Sequence, residues 1–454
     1  MQNEVLDNIY DKKYLRQGDK KLIRSWAMYD WSNSVYSLVI TSAVFPIYYD
    51  SVTPIEVHAF GRVYMRSALY SYALSFAFLV IAIISPLLSS IADYKRNKLF
   101  FMQCFCYIGA VSCASLYFYD GSNIYFGIIP FSLAAIGFCG SLVFYNAFLP
   151  EIVEPSRQDR VSALGFSLGY IGSVLLLIVN LLMIMNPEMF GLVKGTLPAQ
   201  LSFLTVGIWW VLFAQITFSA LRNFQKGYNQ HLVKREKKYN SIWGGYNELK
   251  KVWSQLQELK RLRYFLFAFF FYSMALQTVM YIATLFGTDE LHLESTQLIL
   301  TVLIIQLVAI AGAYLFSGLS KRYGNIHALR IAIIIWVGIC LLAFVAFKYL
   351  ATDEATKSNF FYIVAFCVGM VMGGTQSLSR STYSKLLPET EDHASFFSFY
   401  DVSEKLAIVI GTITYGLIYE ITGSMLNSLL AFSVFFMIGL FGLFRVKKEM
   451  KTHS

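Results

Sequence analysis

Residues 65–90 read MRSALYSYALSFAFLVIAIISPLLSS, and the only charged side chain in this stretch is Arg66, near its start. A helix needs about 20 apolar residues to cross the hydrocarbon core of a bilayer. Runs of this kind recur along the chain, and we predict twelve transmembrane helices of an all-α membrane protein. The expected spans are residues 26–49, 65–90, 98–118, 123–149, 160–185, 201–222, 263–287, 295–317, 327–348, 358–386, 395–420 and 425–446.

The composition supports a membrane location. Of the 454 residues, 56% are hydrophobic and 14% are charged, whereas soluble domains carry about 25% charge. The net charge of +9 would suggest nucleic acid as a partner of a soluble protein. Here the basic residues occupy short loops between apolar runs, so we expect a lipid bilayer as partner and no nucleic acid.

The cysteines and histidines give no sign of a metal or cofactor. All six cysteines lie inside apolar runs and none forms a C-x-x-C pair. Disulfides, a metal site and a cofactor are therefore not expected. We interpret the cysteines as small apolar side chains.

The distribution of Lys and Arg predicts the orientation. With both termini in the cytoplasm, 31 of the 37 basic residues fall on the cytoplasmic side and 5 on the other, while Lys405 lies within a span. Cytoplasmic loops carry such an excess, and an odd number of spans would destroy the contrast. We expect a multi-pass protein of the cell (inner) membrane.

Weak internal similarity divides the chain into two halves. Leu149-Pro150-Glu151 recurs as Leu387-Pro388-Glu389, and a pair of serines in the fifth span recurs in the eleventh, at offsets of 238 and 236 residues. Two parallel halves of six helices are the architecture of the major facilitator superfamily, in which monomers are expected. The predicted parts are tails at 1–25 and 447–454, bundles at 26–222 and 263–446, and a linker at 223–262.

The linker contains a predicted amphipathic helix. Leu249, Val252, Trp253, Leu256 and Leu259 recur at helical spacing, with lysines around them. Such a helix is typical of a cytoplasmic membrane surface.

Four stretches resemble one facilitator family. They are WAMYDWSNS at 26–34, YNAFLPEI at 145–152, GGTQSLSRS at 373–381 and FFSFYDVSEK at 396–405. Together they resemble the autophagy-related vacuole effluxer family, which has many bacterial relatives. The resemblance implies a facilitator fold and export of neutral amino acids.

The loop after the second span resembles the general facilitator motif. It keeps Asp93 and Lys98, but Ser89 and Arg96 stand where glycines are usual. The resemblance implies that Asp93 caps or pairs with the start of the eleventh span, where helical amides are free. An ordinary salt bridge of the loop is the alternative.

Charged residues inside spans are the candidates for coupling and gating, because burying charge in a bilayer is costly. Asp30, Glu151 and Arg380 lie near the expected cytoplasmic ends of their spans, and Lys405 lies within the eleventh span. Asp30 or Glu151 would pair with Arg380 or Lys405 when that side closes, and a proton on the carboxylate would bias the equilibrium. The alternatives are permanent structural pairs and snorkelling side chains. Asp401 and Glu404 are weaker candidates, since Asp401 and Lys405 are spaced to pair along one helix.

Neutral polar residues predict the substrate cavity. The first, fourth, seventh and tenth spans are expected to line it, and polar side chains occur on each. The candidates are Tyr29, Asn33, Tyr145, Asn146, Gln277 and Gln376. Hydrogen bonds between helices are the alternative role for these side chains.

Enzyme chemistry is disfavoured. Residues 165–169, GFSLG, match the G-x-S-x-G nucleophile motif, but they lie in an apolar span and no histidine base is near. No P-loop for ATP occurs. We therefore expect a secondary active transporter that moves a small solute, such as neutral amino acids, by alternating access with proton coupling. A carrier of sugars or lipid-like molecules and a non-transporting receptor or scaffold remain alternatives.

Overall fold

The computed structural model describes residues 14–231, 241–287, 291, 293–350 and 353–446. Within these residues, twelve helices are long and apolar enough to cross a membrane, which confirms the predicted number. The first span is α1 (Lys20–Val35), which continues through a π-helical segment (Tyr36–Val44) into α2 (Phe45–Val52). The following elements are β1 (Glu56–Ala59), β2 (Arg62–Met65), α3 (Arg66–Lys95), α4 (Lys98–Ser115), α5 (Tyr125–Ala147), α6 (Leu149–Ile152), α7 (Gln158–Met185), α8 (Leu197–His231), α9 (Ser241–Glu258), α10 (Lys260–Leu285), α11 (Ser295–Tyr323), α12 (Asn325–Val345), α13 (Glu354–Leu386), α14 (His393–Thr422) and α15 (Leu426–Arg445).

The helices form two compact units. The N-terminal unit comprises the described residues up to Leu249 together with Glu391–Ser398, and the C-terminal unit comprises Lys250–Thr390 and the described residues from Phe399 onward. The first turns of α14 therefore belong to the N-terminal unit, although the rest of that helix belongs to the C-terminal unit. The sequence repeat gave no sign of this division.

The same helix pairings recur in the two units. In the N-terminal unit α4 packs against α5 and α8, α3 packs against α5, and α1 packs against α8. In the C-terminal unit α12 packs against α13 and α15, α11 packs against α13, and α10 packs against α15. These are equivalent positions in two sets of six spans, which confirms the architecture of two related halves.

A hairpin between the first two spans was not predicted. β1 and β2 pair antiparallel, with Ala59 opposite Arg62, and Phe60 and Gly61 form the turn with φ of 50° and 76°. Two positive φ values are typical of the tight hairpin turn that matches strand twist. Phe60 is unusual at such a position, which explains why turn composition did not reveal the hairpin. Its N–H donates to the Tyr125 hydroxyl at 3.0 Å.

The predicted turn between the third and fourth spans is present. Asp120 accepts hydrogen bonds from the N–H and hydroxyl of Ser122 at 2.9 and 2.6 Å. Gly121 has φ +90°, and a Cβ there would collide with the carbonyl of Val52. Only glycine fits this position without displacement of the neighbouring helix.

The GFSLG stretch packs helices together. It lies within α7, and a Cβ on Gly169 would stand 2.5 Å from the Ser34 hydroxyl oxygen. One turn later, a Cβ on Gly172 would stand 2.8 Å from the Trp31 carbonyl oxygen. Ser167 is buried inside this helix, and the strand and turn that a nucleophile elbow requires are not found around it.

The linker contains the expected helix, α9. Val252 and Leu256 are buried and Leu249 is half-buried, so this face packs on protein. Trp253, which we had placed on the same face, is 51% exposed and contacts Phe399 at a ring distance of 5.6 Å. The preceding span also continues to His231, beyond the predicted end at residue 222.

Candidate functional site

Asp30 is a residue of α1, and its carboxylate contacts α5 in the N-terminal unit. The Tyr145 hydroxyl donates to Asp30 Oδ2 at 2.8 Å. Trp26 stacks on the Tyr145 ring at 4.4 Å, and its indole N–H donates to the Tyr145 carbonyl at 3.0 Å. The aromatic side chains thus fix Tyr145, and Tyr145 in turn orients a buried carboxylate.

Tyr29 and Asn33 line the buried interior of the same unit. The Tyr29 ring is fully buried, 5.0 Å from Tyr145. The Tyr29 hydroxyl interacts with the side chains of Ser141, Cys106 and Trp210, whereas the Asn33 amide nitrogen has no hydrogen-bond partner among the described residues. Buried polar groups are normally satisfied, so Asn33 keeps an unused donor in this interior.

Asp93 lies at the end of α3, against the start of α14. Its carboxylate accepts hydrogen bonds from the N–H of Ser395 at 2.7 Å and of Ala394 at 3.3 Å. The Ser395 hydroxyl also donates to it at 2.7 Å. The first amides of a helix have no partner within the helix and carry partial positive charge, so a carboxylate is well suited to this position.

Glu151 forms a second charged contact beside Asp93. The Lys98 ammonium and the His393 Nδ1 atom both contact Glu151 Oε1, the latter at 3.0 Å. Lys98 also lies 3.8 Å from Asp93. The side chains of Lys98 and Glu151 are 7% and 3% exposed. Because such pairs are poorly screened by water, this cluster holds the start of α14 within the N-terminal unit.

Arg96 adopts the left-handed conformation that its position in the loop motif demands. Its φ is 53°, and its carbonyl oxygen accepts from the amides of Gln225 and Asn229 at 2.8 and 3.1 Å. Its guanidinium pairs with Glu391 at 2.8 Å. The missing glycine is therefore replaced by an arginine whose strained backbone is stabilised by α8.

The C-terminal unit contains a polar group centred on α14. The Gln277 amide donates to Glu404 Oε1 at 2.9 Å, and the Lys405 ammonium donates to Glu404 Oε2 at 2.8 Å. Lys405 also lies 3.4 Å from Asp401 Oδ1. The pairing of Asp401 with Lys405 along one helix is thus present, although the shorter contact of Lys405 is with Glu404.

The remaining candidates are distributed over α5, α10 and α13. Asn146 and Gln376 are half-buried, Arg380 is buried, and all three are engaged with other groups. Tyr272 lies on α10, and its hydroxyl is 2.7 Å from the Ser379 hydroxyl.

Three contacts of the candidate site escaped the sequence analysis. His393 lies at the edge of a span and was not a candidate, yet it contacts Glu151. Lys98 was noted only as part of a motif, although it lies five residues beyond Asp93 on the next helix. Glu404 was ranked below Lys405, and nothing in the sequence showed that Gln277 would reach it from another helix.

The fold is that of known facilitators. The chain matches the structure titled as a bacterial homologue of the iron transporter ferroportin with a TM-score of 0.68, at 10% identity, over 94% of this chain and 99% of that one. It matches the major facilitator superfamily transporter FucP with a TM-score of 0.65, at 13% identity, over 94% and 98%. These likenesses show the fold.

Sequence relatives identify the family. The chain is 30% identical to an uncharacterized MFS-type transporter, YxiO, of Bacillus subtilis (strain 168) over 94% of this chain and 95% of that protein. It is 26% identical to autophagy-related protein 22-2 of Aspergillus oryzae over 78% and 70% of the two chains. The family model described as "Vacuole effluxer Atg22 like" matches residues 18–453. The chain therefore belongs to the vacuole effluxer Atg22-like family.

Proposed function

We propose that this protein is a secondary active transporter that moves neutral amino acids across the cell (inner) membrane by alternating access, coupled to protons. The observation that carries the proposal is the set of charged and polar side chains buried inside membrane spans of both units. Such residues are costly in a bilayer and typically mark solute and ion pathways. MFS-type transporters among the relatives support the transport function.

The proposed substrate chemistry follows from the residues of each unit. An amino acid carries an ammonium and a carboxylate, and it needs both acceptors and donors. In the N-terminal unit the amide of Asn33 offers both kinds of group, and in the C-terminal unit the amides of Gln277 and Gln376 do so. Asp30 and Arg380 are assigned to coupling and gating instead. We assign Tyr29, Tyr145 and Asn146 to the same binding role.

We assign the gate to the contacts at the start of α14. Asp93 and Glu151 hold this helix end through hydrogen bonds and ion pairs, and Lys405 holds the polar group farther along the same helix. Opening toward the cytoplasm would require the contacts of Asp93 and Glu151 with α14 to break, whereas closing would restore them. Polar contacts suit this role because water can replace them once they are exposed.

Solute counterflow in proteoliposomes tests the transport function. A panel of neutral amino acids, a sugar and a lipid-like solute would be offered to the purified protein, and we expect exchange of amino acids only. Exchange of a sugar or lipid instead would replace the substrate assignment. A well-folded protein that exchanges none of them would favour a receptor or scaffold.

Asp30→Asn tests the coupling. Because the amide cannot carry the coupling proton, we expect transport driven by a pH gradient to be lost while exchange at equal pH persists. Asp50→Asn is the matched control, since Asp50 is 64% exposed and pairs with Arg66 where the first span ends and the second begins. Unchanged pH-driven transport in Asp30→Asn would remove Asp30 from this role.

A further inference from the structure

Three ionisable residues of α14 lie deep within its membrane span. Asp401 and Lys405 are about 12 and 18 Å along the helix axis from its first residue, at a rise of about 1.5 Å per residue. Both side chains are more than nine-tenths buried, and Glu404 between them is 21% exposed. The group belongs to the C-terminal unit and is separate from the Asp93 and Glu151 cluster.

The two carboxylates of this group, Asp401 and Glu404, accept different numbers of hydrogen bonds. Glu404 accepts a hydrogen bond on each oxygen, one from Gln277 and one from Lys405. Asp401 Oδ1 faces Lys405 at 3.4 Å, but Asp401 Oδ2 is buried and accepts no hydrogen bond from the described residues. One lysine thus serves two carboxylates, and one carboxylate oxygen has no donor.

The neighbouring helices do not supply that donor. On α10 the hydroxyl of Tyr272 is engaged with Ser379. Two residues of α13 interact with Tyr400 on α14. The charge of Arg380 acts on the Tyr400 hydroxyl, and the ring of Tyr383 lies 5.0 Å from the Tyr400 ring. Tyr400 also stacks on Phe269 of α10 at 4.1 Å, which adds an apolar wall.

A buried carboxylate oxygen without a donor is destabilising, and two carboxylates that share one cation disfavour double ionisation. We propose that Asp401 is a proton-binding site of the C-terminal unit, with the exchangeable proton on Oδ2. Both oxygens of Glu404 already accept hydrogen bonds, so the proton is placed on Asp401 and not on Glu404. A protonated Asp401 leaves Lys405 and Glu404 as a neutral pair.

A proton fits this site better than a metal cation. Sodium and other hard cations need several oxygen ligands in one place, whereas a proton needs one. Among the contacts of the described residues, Asp401 Oδ2 is the one carboxylate oxygen of the group without a partner. No group of three or more potential metal-binding side chains occurs in the described part of the chain.

A role of this site in coupling rests on the proposed transport function. Proton binding by Asp401 can be measured without transport. Infrared difference spectra of the purified full-length protein in detergent, between acidic and alkaline buffer, report the C=O band of a protonated carboxyl. We expect Asp401→Asn to lose one such band and to take up one proton fewer in a pH titration. Glu420→Gln, an exposed carboxyl on the same helix, is the matched control and should keep both signals.

Glu404→Gln gives a second, independent readout. With the competing carboxylate removed, Lys405 no longer divides its charge between two carboxylates and stabilises the charged form of Asp401 more strongly, so the Asp401 band should titrate at a lower pH. An unchanged midpoint, or a band retained in Asp401→Asn, would overturn the proposal. Displacement of the band by sodium at constant pH would also overturn it, in favour of a metal cation.

The two proposals can fail separately. If the parent protein shows the Asp401 band but exchanges no solute, proton binding stands and the transport function fails. If solute is transported and the band is absent, the transport function stands and the proton site fails.

Discussion

Helices α7 and α14 occupy equivalent positions in the two halves, as the fifth and eleventh spans, but they are held in different ways. Half of the most apolar 18-residue window of α7 is buried, against 28% of the corresponding window of α14. Glycines set α7 directly against the backbone of α1. Close backbone packing of this kind relies on many short dispersion contacts and has no charged component.

By contrast, α14 has polar contacts at separate points in addition to close packing. Asp93 contacts its first amides and Gln277 contacts Glu404 in its middle, while a Cβ on Gly411 would meet Thr278 and the backbone of Met274 on α10. Polar contacts depend on protonation and on water, whereas close packing of backbones does not. The comparison teaches that equivalent helices of two repeated halves can be held by different kinds of contact.

The largest expected effect is on the ion pair that holds the start of α14. Lys98→Met leaves Glu151 buried beside His393 without its lysine, and removal of one partner of a buried pair costs about 3 kcal/mol. We expect the free energy of unfolding in detergent, measured by denaturant titration, to fall by about that amount. Lys194→Met, at an exposed loop lysine, should change it little.

A double variant separates the pair from its packing. Lys98→Met with Glu151→Gln leaves neither charge of the pair buried alone, so it should recover more than half of the loss. Strict additivity of the two single variants would contradict the direct interaction between Lys98 and Glu151.

The same substitution in α7 and α14 should have opposite signs. Gly172→Ala places a Cβ against the Trp31 carbonyl, and overpacking of this kind costs about 1 to 3 kcal/mol. Gly416→Ala in α14 meets nothing within 4 Å, and alanine is favoured over glycine in helices by up to about 1 kcal/mol. Thermal unfolding in detergent measures both changes. Equal destabilisation by the two variants would contradict the difference in packing between α7 and α14.

Much of the fold was readable from the sequence because lipid imposes strong constraints. Apolar runs of sufficient length identified all twelve spans, and Asp120 to Asn123 marked a turn by composition. The hairpin escaped because Phe60 is atypical of its turn. The division of α14 between two units also escaped, since hydrophobicity carries no information about which helices touch.

The sequence predicted the candidate site residues only as side chains whose burial in a membrane costs free energy. Charge inside an apolar run pointed to Asp30, Glu151, Arg380 and Lys405, but it could not give their partners. Lys98 and His393 sit at helix ends, where charge is ordinary, and only the packing brings them to Glu151. The sequence thus shows which charged side chains are buried at a cost in free energy. Which partners offset that cost depends on three-dimensional contacts.

The smallest expected effect compares two helix starts. Asp93 contacts the first amides of α14 from a remote helix, while Asp353 precedes α13 and accepts from the Thr356 N–H at 2.7 Å. Alanine cannot accept the hydrogen bonds that a capping side chain accepts. We expect Asp93→Ala and Asp353→Ala to speed amide hydrogen exchange locally, in the first turns of α14 and α13 respectively. Exchange that spreads along the whole of α13 in Asp353→Ala would contradict a local cap.

The pH dependence of the α13 cap has a definite sign. The hydrogen bonds from Thr356 lower the pKa of Asp353 below its ordinary value. A depressed pKa means that the contribution of the charged cap is present above the ordinary range of an aspartate and is lost as the pH falls through the lowered value. Protection of the first turn of α13 should therefore persist into acid and then decrease, as followed by exchange corrected for its intrinsic pH dependence. Asp353→Ala carries neither a capping nor a titrating group at this position, so its protection should be lower from the start and should lack that decrease, which assigns the transition to the Asp353 carboxyl.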